Sequence, residues 1–444
     1  MEVIRVSISG EFTVMGSPTK DGVPMHNYRS KSMIRFASAV ILAAFSAFCH
    51  SPSHPVFGAQ VFGAQAASET TESSADSSLP WETLEISSSA SAANTDTNTQ
   101  QLLGQVWVEA VDGSLLFCDQ LGQLHLLKKE DVLERQPATA PPDWTAEDQQ
   151  SGIEERLRQR LPADFRVLRT RNYIFCYWTS LEYAQWVSVL IERLHAGFTN
   201  YWENRGFEPQ DPVHPQIVLI FANRTDYERF AQVDTNAPPT GIIGYYHMLN
   251  NWVVMYDLTA DGQFGANENR PLNTVLAHPS AIPMVATIVH EATHQIMFNN
   301  GLQTRLADIP LWVSEGLAVY FEAPDLTSKK GWRGIGKINV LRYRRAKEYL
   351  TRRPSDSLRT LMQDDTRFRQ SDLTVDAYAE AWALNHFLLK RYRRQYQQYL
   401  AFLSEKKAIQ PVSPEQRIAD LEQYLGKSLE QVDREFVNYL SKLR

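Results

Sequence analysis

The sequence has few cysteines, no apolar run long enough to cross a membrane, and no excess of positive charge. Three cysteines occur in 444 residues, and none has the Cys-x-x-Cys spacing of thiolate zinc sites. The longest largely apolar run, 36–49, is shorter than the roughly 20 residues of a membrane-spanning helix. The net charge is −7. We therefore expect no thiolate zinc module, no stable membrane span and no general attraction to nucleic acid.

The apolar run has the layout of a signal peptide instead. Lys31 and Arg35 flank its start, and an Ala-x-Ala cleavage site ends at Ala66. Met33 would be a tidier initiator than the first residue, because charged regions of signal peptides normally begin the chain. A buried helix is the alternative, but a polar tract follows the run and nothing amphipathic surrounds it. We predict a leader over 1–66 and export to the periplasm or the exterior of a bacterium.

Composition and turn signals divide the rest of the chain into four segments. A Ser/Thr/Ala-rich stretch cannot bury enough apolar surface to offset its ordering entropy, so it is predicted to be a disordered linker. Alternating apolar and polar residues around Asp112-Gly113 and Leu121-Gly122 then predict a small antiparallel meander with two tight turns. A Pro-rich linker and a large domain follow. The segments are the linker 67–100, the β module 101–134, the linker 135–144 and the domain 145–444.

Within the large domain, strand patterns precede helical ones. Residues 241–257 split at Asn250-Asn251 into two short apolar strands, which is a hairpin signal. Beyond Ala281 the pattern is helical almost to the end. No repeat of solenoid period is visible. The predicted fold class is therefore α+β, with a strand-rich first half and a helical second half.

Removal of the leader would leave two cysteines, Cys118 and Cys176. An oxidising compartment could join them in a disulfide. Two separate buried thiols are the favoured alternative, because the residues fall in different predicted segments.

Residues 283–299 carry a His-Glu-x-x-His motif on a predicted helix. Apolar residues recur there at helical spacing, and Gly301 follows where a C-terminal cap is wanted. His290 and His294 lie one turn apart on one face, so their imidazoles can converge on one metal ion. Glu291 is turned about 100° around the axis, where it can reach a water at the metal without being a ligand.

A third ligand is expected, because a catalytic zinc site uses three protein ligands and one open position. The candidate is Glu315, in a second predicted helix between Pro310 and Pro324. Its neighbours are strongly apolar, and burying an unpaired carboxylate costs several kcal/mol. A zinc ion would be an adequate partner for that charge.

The stretches "HEATHQ" and "LWVSEGLAVYFE" resemble the gluzincin metallopeptidases, whose third ligand is a Glu on a second helix. More narrowly, the sequence is similar to secreted bacterial proteins grouped as a domain of unknown function within the peptidase MA-like group. The further segment "YAEAWALNHFLL", residues 378–389, also fits that group. The resemblance spans roughly residues 165–440 and implies a zincin-like fold.

Carried over residue by residue, the resemblance makes His290, His294 and Glu315 the ligands of one Zn²⁺ ion per chain. Glu291 becomes the general base, and Tyr378 a candidate donor to the oxyanion. Tyr378 could equally be a helix aromatic packing beside its neighbours at i+4 and i+8, Trp382 and His386.

Two more histidines are weaker candidates. His247 of the hairpin is a possible oxyanion donor, although a plain surface residue is the simpler interpretation. His386 is the next candidate for a third ligand if Glu315 is not one.

Two function classes remain open. The first is an exported zinc peptidase acting on a peptide or protein, and the second is a catalytically silent gluzincin-like scaffold that binds a partner. The basic run 329–353 has ten Lys and Arg against Glu348, a net charge of +9. It is either a solvated helix face or a rim that favours acidic substrates.

Overall fold

The computed structural model describes residues 4–5, 79–87, 99–235, 243–260, 272–276, 278, 281–323, 332–370 and 372–444. The predicted signal peptide, its cleavage site and most of the predicted linker 67–100 lie outside these ranges. The fold is mixed α+β, with a strand-rich first half and a helical second half, as the sequence predicted. Within the described ranges, none of the helices combines the length and the apolar character that a membrane crossing needs.

Eleven strands are described. They are β1 (Ile4–Arg5), β2 (Trp81–Ser87), β3 (Thr99–Glu109), β4 (Leu115–Asp119), β5 (Leu124–Leu127), β6 (Val132–Ala138), β7 (Arg166–Arg169), β8 (Tyr173–Tyr177), β9 (Gln216–Phe221), β10 (Gly244–His247) and β11 (Trp252–Tyr256).

Thirteen α-helices are described. They are α1 (Glu147–Arg160), α2 (Leu181–Glu203), α3 (Arg224–Thr235), α4 (Leu272–Leu276), α5 (Ala281–Asn299), α6 (Leu311–Phe321), α7 (Val340–Leu350), α8 (Ser357–Gln363), α9 (Thr366–Arg369), α10 (Thr374–Arg391), α11 (Arg393–Ser404), α12 (Pro414–Leu425) and α13 (Leu429–Lys442).

A six-stranded sheet in the order β1-β10-β11-β9-β8-β7 supports the large domain. Its central strands β8, β9 and β11 pair in parallel and are buried along their whole length. Such strands read as continuous apolar runs because helices cover both faces. Helices α2 and α5 pack together and contact strands of this sheet, as does α3. The predicted hairpin 241–257 forms β10 and β11.

A second, antiparallel sheet has the order β5-β4-β3-β2-β6. It contains the predicted meander as β3, β4 and β5, and Gly113 and Gly122 take positive φ values of 83° and 77° in its two tight turns. Of the other two strands, β2 lies in the predicted linker 67–100, and β6 begins in the predicted β module.

The prediction of a disordered linker over 67–100 is wrong at β2. This strand lies between β3 and β6, and its alternate residues Leu84 and Ile86 are buried in the core of the small sheet. Strand β6 likewise extends into the predicted linker 135–144. It includes Pro137, which an edge strand tolerates because its outward side needs no ladder hydrogen bond.

The small sheet docks against the β10–β11 hairpin through buried polar contacts. The Leu124 N–H donates to the Leu249 carbonyl at 2.8 Å. The buried Arg305 guanidinium donates to the carbonyls of Gly122 and Met248, at 2.7 and 3.2 Å. The two sheets are therefore joined by hydrogen bonds, of which those from Arg305 are buried.

The two cysteines are free thiols, which confirms the favoured alternative. Cys118 lies in β4 of the small sheet and Cys176 in β8 of the large one, both buried. Burial raises the pKa of each thiol to about 12. The Cys118 Sγ lies 3.4 Å from His214 Nε2 at the junction of the two sheets.

Several basic residues of the segment 329–353 form ion pairs with α10, although residues 329–331 lie outside the described ranges. Arg345 and Arg352 both contact Asp376 at 2.7 Å, and Arg353 contacts Glu380 at 2.6 Å. The net charge of +9 counted along the sequence therefore overstates the positive charge that this segment presents to solvent.

Candidate metal centre

The two histidines of the motif and Glu315 come together where α5 packs against α6. Helix α5 begins at Ala281 and ends at Asn299, and the following Gly301 has a φ of 82°. Helix α6 starts after Pro310, and every one of its residues is buried. His290, His294 and Glu315 are completely inaccessible to solvent.

The three side chains form a small triangle of donor atoms. His290 Nε2 lies 3.1 Å from Glu315 Oε2 and 3.1 Å from His294 Nε2. The third side, from His294 Nε2 to Glu315 Oε2, measures 3.5 Å. A tetrahedral ion with bonds of about 2.1 Å places its ligand atoms about 3.4 Å apart. The triangle therefore has the size that one metal ion requires.

An unsatisfied polar atom supports the same interpretation. Glu315 Oε1 is buried and has no hydrogen-bond partner among the described residues. Buried polar groups normally have partners, because an unmet one costs about 1–3 kcal/mol. A group of two imidazoles and a carboxylate with unmet bonding capacity is suited to holding a metal ion.

The charges of the group are strongly coupled. Burial opposes protonation of His290, but the hydrogen bond to Glu315 and the nearby Glu322 carboxylate outweigh it and raise the His290 pKa to about 10. Burial would raise the pKa of Glu315, yet the two histidines hold it well below its usual range. The pKa of His294 is lowered by burial. Because imidazole and carboxylate ligands bind metals in their deprotonated forms, metal binding at this group is expected to release protons.

Glu291 lies beside the triangle without being part of it. Its Oε2 accepts a hydrogen bond of 2.8 Å from the backbone N–H of Tyr246 in β10. Its Oε1 is buried and finds no hydrogen-bond partner in the described part of the chain. Burial raises the pKa of Glu291 to about 8. One oxygen is thus fixed by the sheet, and the other is available to accept a proton.

The structure also brings Tyr378 to this site. It is buried on α10, with its ring centroid 6.3 Å from that of His290 and 5.4 Å from that of Phe368. Its predicted role as an oxyanion donor stays a prediction. His386, two turns further along α10, contacts the Tyr439 hydroxyl at 2.8 Å through Nδ1 and is not part of the metal-binding group.

The prediction that His247 is a plain surface residue is wrong. The side chain is buried, and its Nδ1 lies 3.1 Å from Asp234 Oδ2 on α3. Residues alternate between the faces of a strand. Tyr246 stacks on Phe298 of α5, so His247 faces away from α5, and a role as oxyanion donor beside Glu291 does not fit.

Two residues near the site were not predicted from the sequence. Glu322 Oε2 lies 3.6 Å from His290 Nδ1, on the side of the imidazole away from the triangle. Arg342 Nη2 lies 3.8 Å from the same oxygen. The available signal was spacing, since Glu322 follows Glu315 by seven residues and so occupies the same face two turns later.

One family model matches the part of the chain that carries the candidate metal centre. No curated protein matches the chain in sequence. Residues 284–410, which include all three donor residues and Tyr378, match the model of the family described as "Protein of unknown function (DUF1570)".

Proposed function

We propose that the protein is an exported zinc-dependent peptidase with a zincin-like fold of the gluzincin type. The observation that carries the proposal is the buried triangle of His290, His294 and Glu315, with the free Oε1 of Glu291 next to it. Two histidines and one carboxylate are the ligand set of several zinc peptidases. A neighbouring carboxylate that is not a ligand supplies the general base that such chemistry needs.

A bound zinc ion would supply Lewis acidity, which lowers the pKa of water towards 7 and polarises a carbonyl. The remaining steps belong to the chain. Glu291 accepts the proton of the attacking water at Oε1 and passes it to the leaving amine. The Tyr246 N–H keeps the carboxylate from rotating, because it holds Oε2 in place. Tyr378 donates its hydroxyl hydrogen to the developing oxyanion.

The proposed substrate is an extended peptide or protein segment that pairs with β10. Among the described residues, the outer edge of β10 pairs only with the two residues of β1. These two residues belong to the predicted leader, so leader removal would leave the edge open for another strand. Basic residues such as Arg344, which is exposed on α7, would favour acidic peptides.

The test compares the purified protein with a Glu291→Gln variant. We expect one zinc ion per chain in both proteins by elemental analysis. Hydrolysis of a fluorogenic peptide library should fall by roughly 10²–10⁴-fold in the variant, because the base is lost while shape is kept. Glu430→Gln is the matched control, since Glu430 is exposed and forms a surface ion pair of 2.9 Å with Arg359.

The outcomes separate the two function classes. Wild-type protein that holds zinc but cleaves nothing in the library would point to the silent binding scaffold. Protein that holds no metal would refute the proposal as a whole. Export is tested separately, by N-terminal sequencing of protein secreted from a bacterial host, and an intact first residue would argue against leader cleavage.

A further inference from the structure

Arg342 connects the basic segment of the chain to the metal centre. Its guanidinium carbon lies 5.2 Å from the ring centroid of Tyr378. Its Nη2 lies 3.8 Å from Glu322 Oε2, and that oxygen lies 3.6 Å from His290 Nδ1. The Arg342 and Glu322 side chains are only 16% and 12% exposed. One arginine thus touches both the carboxylate behind a metal-binding histidine and the candidate oxyanion donor.

Helix α7, which carries Arg342, is held by apolar packing and by ion pairs. It buries only Ala346 and Tyr349 of its own residues. Arg345 near its middle contacts Asp376 of α10 at 2.7 Å. Beyond its C-terminus, Arg352 contacts the same carboxylate at 2.7 Å. These ion pairs hold α7 against α10, the helix that bears Tyr378. They therefore help to set the position of the Arg342 side chain.

A carboxylate behind a metal-binding histidine orients the imidazole and strengthens its bond to the metal. Glu322 is in the right place for that role, but a nearly buried carboxylate needs a cation or hydrogen bonds to keep it there. Arg342 is the guanidinium closest to it in the ion pairs of the described residues. Arginine also stacks on aromatic rings, which a lysine does less well.

We propose that Arg342 is a positioning residue of the metal centre: it holds Glu322 against His290 and holds the ring of Tyr378 beside the same imidazole. The inference rests on the metal centre of the proposed function. It gives Arg342 a structural role at the buried metal centre. The positive charge of its segment had instead suggested contact with acidic substrates.

The test measures metal affinity in the full-length protein by competition with a chromogenic chelator, together with the absorption spectrum of the Co²⁺-loaded form. Replacing the partner of a metal-binding histidine typically costs 10–100-fold in metal affinity. We expect Arg342→Gln to weaken Zn²⁺ binding by about tenfold and to change the Co²⁺ spectrum. Arg344→Gln is the matched control, because it removes the same charge from an exposed position of the same helix, and it should change neither measurement.

A double-mutant cycle with Glu322→Gln tests whether Arg342 acts through Glu322. If it does, the double variant should bind Zn²⁺ no more weakly than Glu322→Gln alone. Arg342→Lys keeps the charge near Glu322 but gives up most of the stacking on Tyr378, so it should recover part of the lost affinity. Far-UV circular dichroism of the metal-free variants checks that they fold. If Arg342→Gln does not fold, Arg342→Lys is compared with the wild type in its place.

Several outcomes would overturn the inference. Equal Zn²⁺ affinity and equal Co²⁺ spectra in wild type and both Arg342 variants would remove the positioning role while leaving the metal centre intact. A raised KM for peptides with unchanged metal affinity would assign Arg342 to substrate binding instead. Losses that multiply in the double variant would show that Arg342 does not act through Glu322. Wild-type protein that binds no metal would remove the metal centre itself.

Discussion

Gly316, the residue after the candidate ligand Glu315, lies at a close approach of α6 and α10. A Cβ atom at this position would overlap the side-chain amide of Asn385 and would lie 2.7 Å from the Ala381 carbonyl oxygen. The carbonyl belongs to the backbone of α10 and cannot move by itself. The Asn385 amide is equally constrained, because it donates to the Trp312 carbonyl at 2.8 Å. We therefore predict that Gly316→Ala forces the two helices apart.

The size of the effect follows from three contributions. Overpacking a close-packed interior costs about 1–3 kcal/mol. Displacing Asn385 breaks buried hydrogen bonds to Trp312 and from the Tyr396 hydroxyl, which costs about 1–3 kcal/mol more. Alanine is a better helix former than glycine by about 1 kcal/mol, which offsets part of the loss. The expected net loss in the free energy of unfolding is about 3 kcal/mol.

The assay is urea-induced unfolding of the metal-free and zinc-loaded proteins, followed by circular dichroism. Glu315 should move with α6, so the zinc-dependent gain in stability should shrink in Gly316→Ala. Gly152→Ala in α1 is the matched control. Its Cβ would meet only the end of Arg156 at 3.8 Å, so it should stabilise by about 0.5–1 kcal/mol. A Gly316→Ala protein as stable as wild type would refute the described packing of α6 on α10.

Three further predictions concern the ligand, the thiols and pH. Glu315→Ala should lose most of its zinc affinity and the rise in thermal midpoint that zinc confers, and full zinc occupancy in this variant would disprove its role as a ligand. Without reductant, Cys118 and Cys176 should both react with a thiol reagent in the denatured protein and only slowly in the native one, whereas a disulfide would leave them unreactive in both. Burial lowers the pKa of His214 from 6.5 to about 4, so the unfolded chain takes up the proton first and stability falls as the pH drops through this window. His214→Gln should reduce that slope by up to about 1.4 kcal/mol per pH unit, and an unchanged slope would contradict the assigned shift.

The metal-binding group was predictable because its information is local. His290 and His294 need only one helix to share a face, and that helix was visible as a regular apolar spacing. Glu315 needed one more step, the cost of burying a carboxylate in an apolar helix. The structure places all three side chains within a few ångströms of one another.

The partners of these residues were not predictable, because they depend on how helices pack. Apart from its seven-residue spacing from Glu315, nothing in the sequence marked Glu322, and its place beside His290 Nδ1 depends on the packing of α5 against α6. Arg345 and Arg352 belong to the basic run 329–353, which the sequence indicated to be either a solvated helix face or a rim that favours acidic substrates. Their shared partner, Asp376, lies on α10, and only the packing of α7 on α10 reveals it.

Strand β2 shows why composition misled at the linker. The segment around it is rich in Ser, Thr and Ala, and the strand has only seven residues. Its stability comes from two neighbours, since β3 and β6 satisfy its backbone on both sides. His247 shows a similar limit. Alternation along β10 separates its two faces, but the pattern does not tell which face meets α3 and which meets α5.

The contacts of Arg305 bear on how long a recombinant fragment must be to preserve the surroundings of the metal centre. Arg305 lies inside the segment 284–410 that matches the family model. The carbonyls that accept its hydrogen bonds belong to Gly122 and Met248, which precede that segment. A shortened recombinant protein that starts at residue 145 would retain the hairpin carbonyl and lose the one from the small sheet. The Arg305 guanidinium would then lose one of its two carbonyl partners and be opened to water, next to the hairpin that holds Glu291. A fragment that keeps the Arg305 contacts and the whole small sheet should therefore begin before Trp81, some two hundred residues ahead of the His-Glu-x-x-His motif.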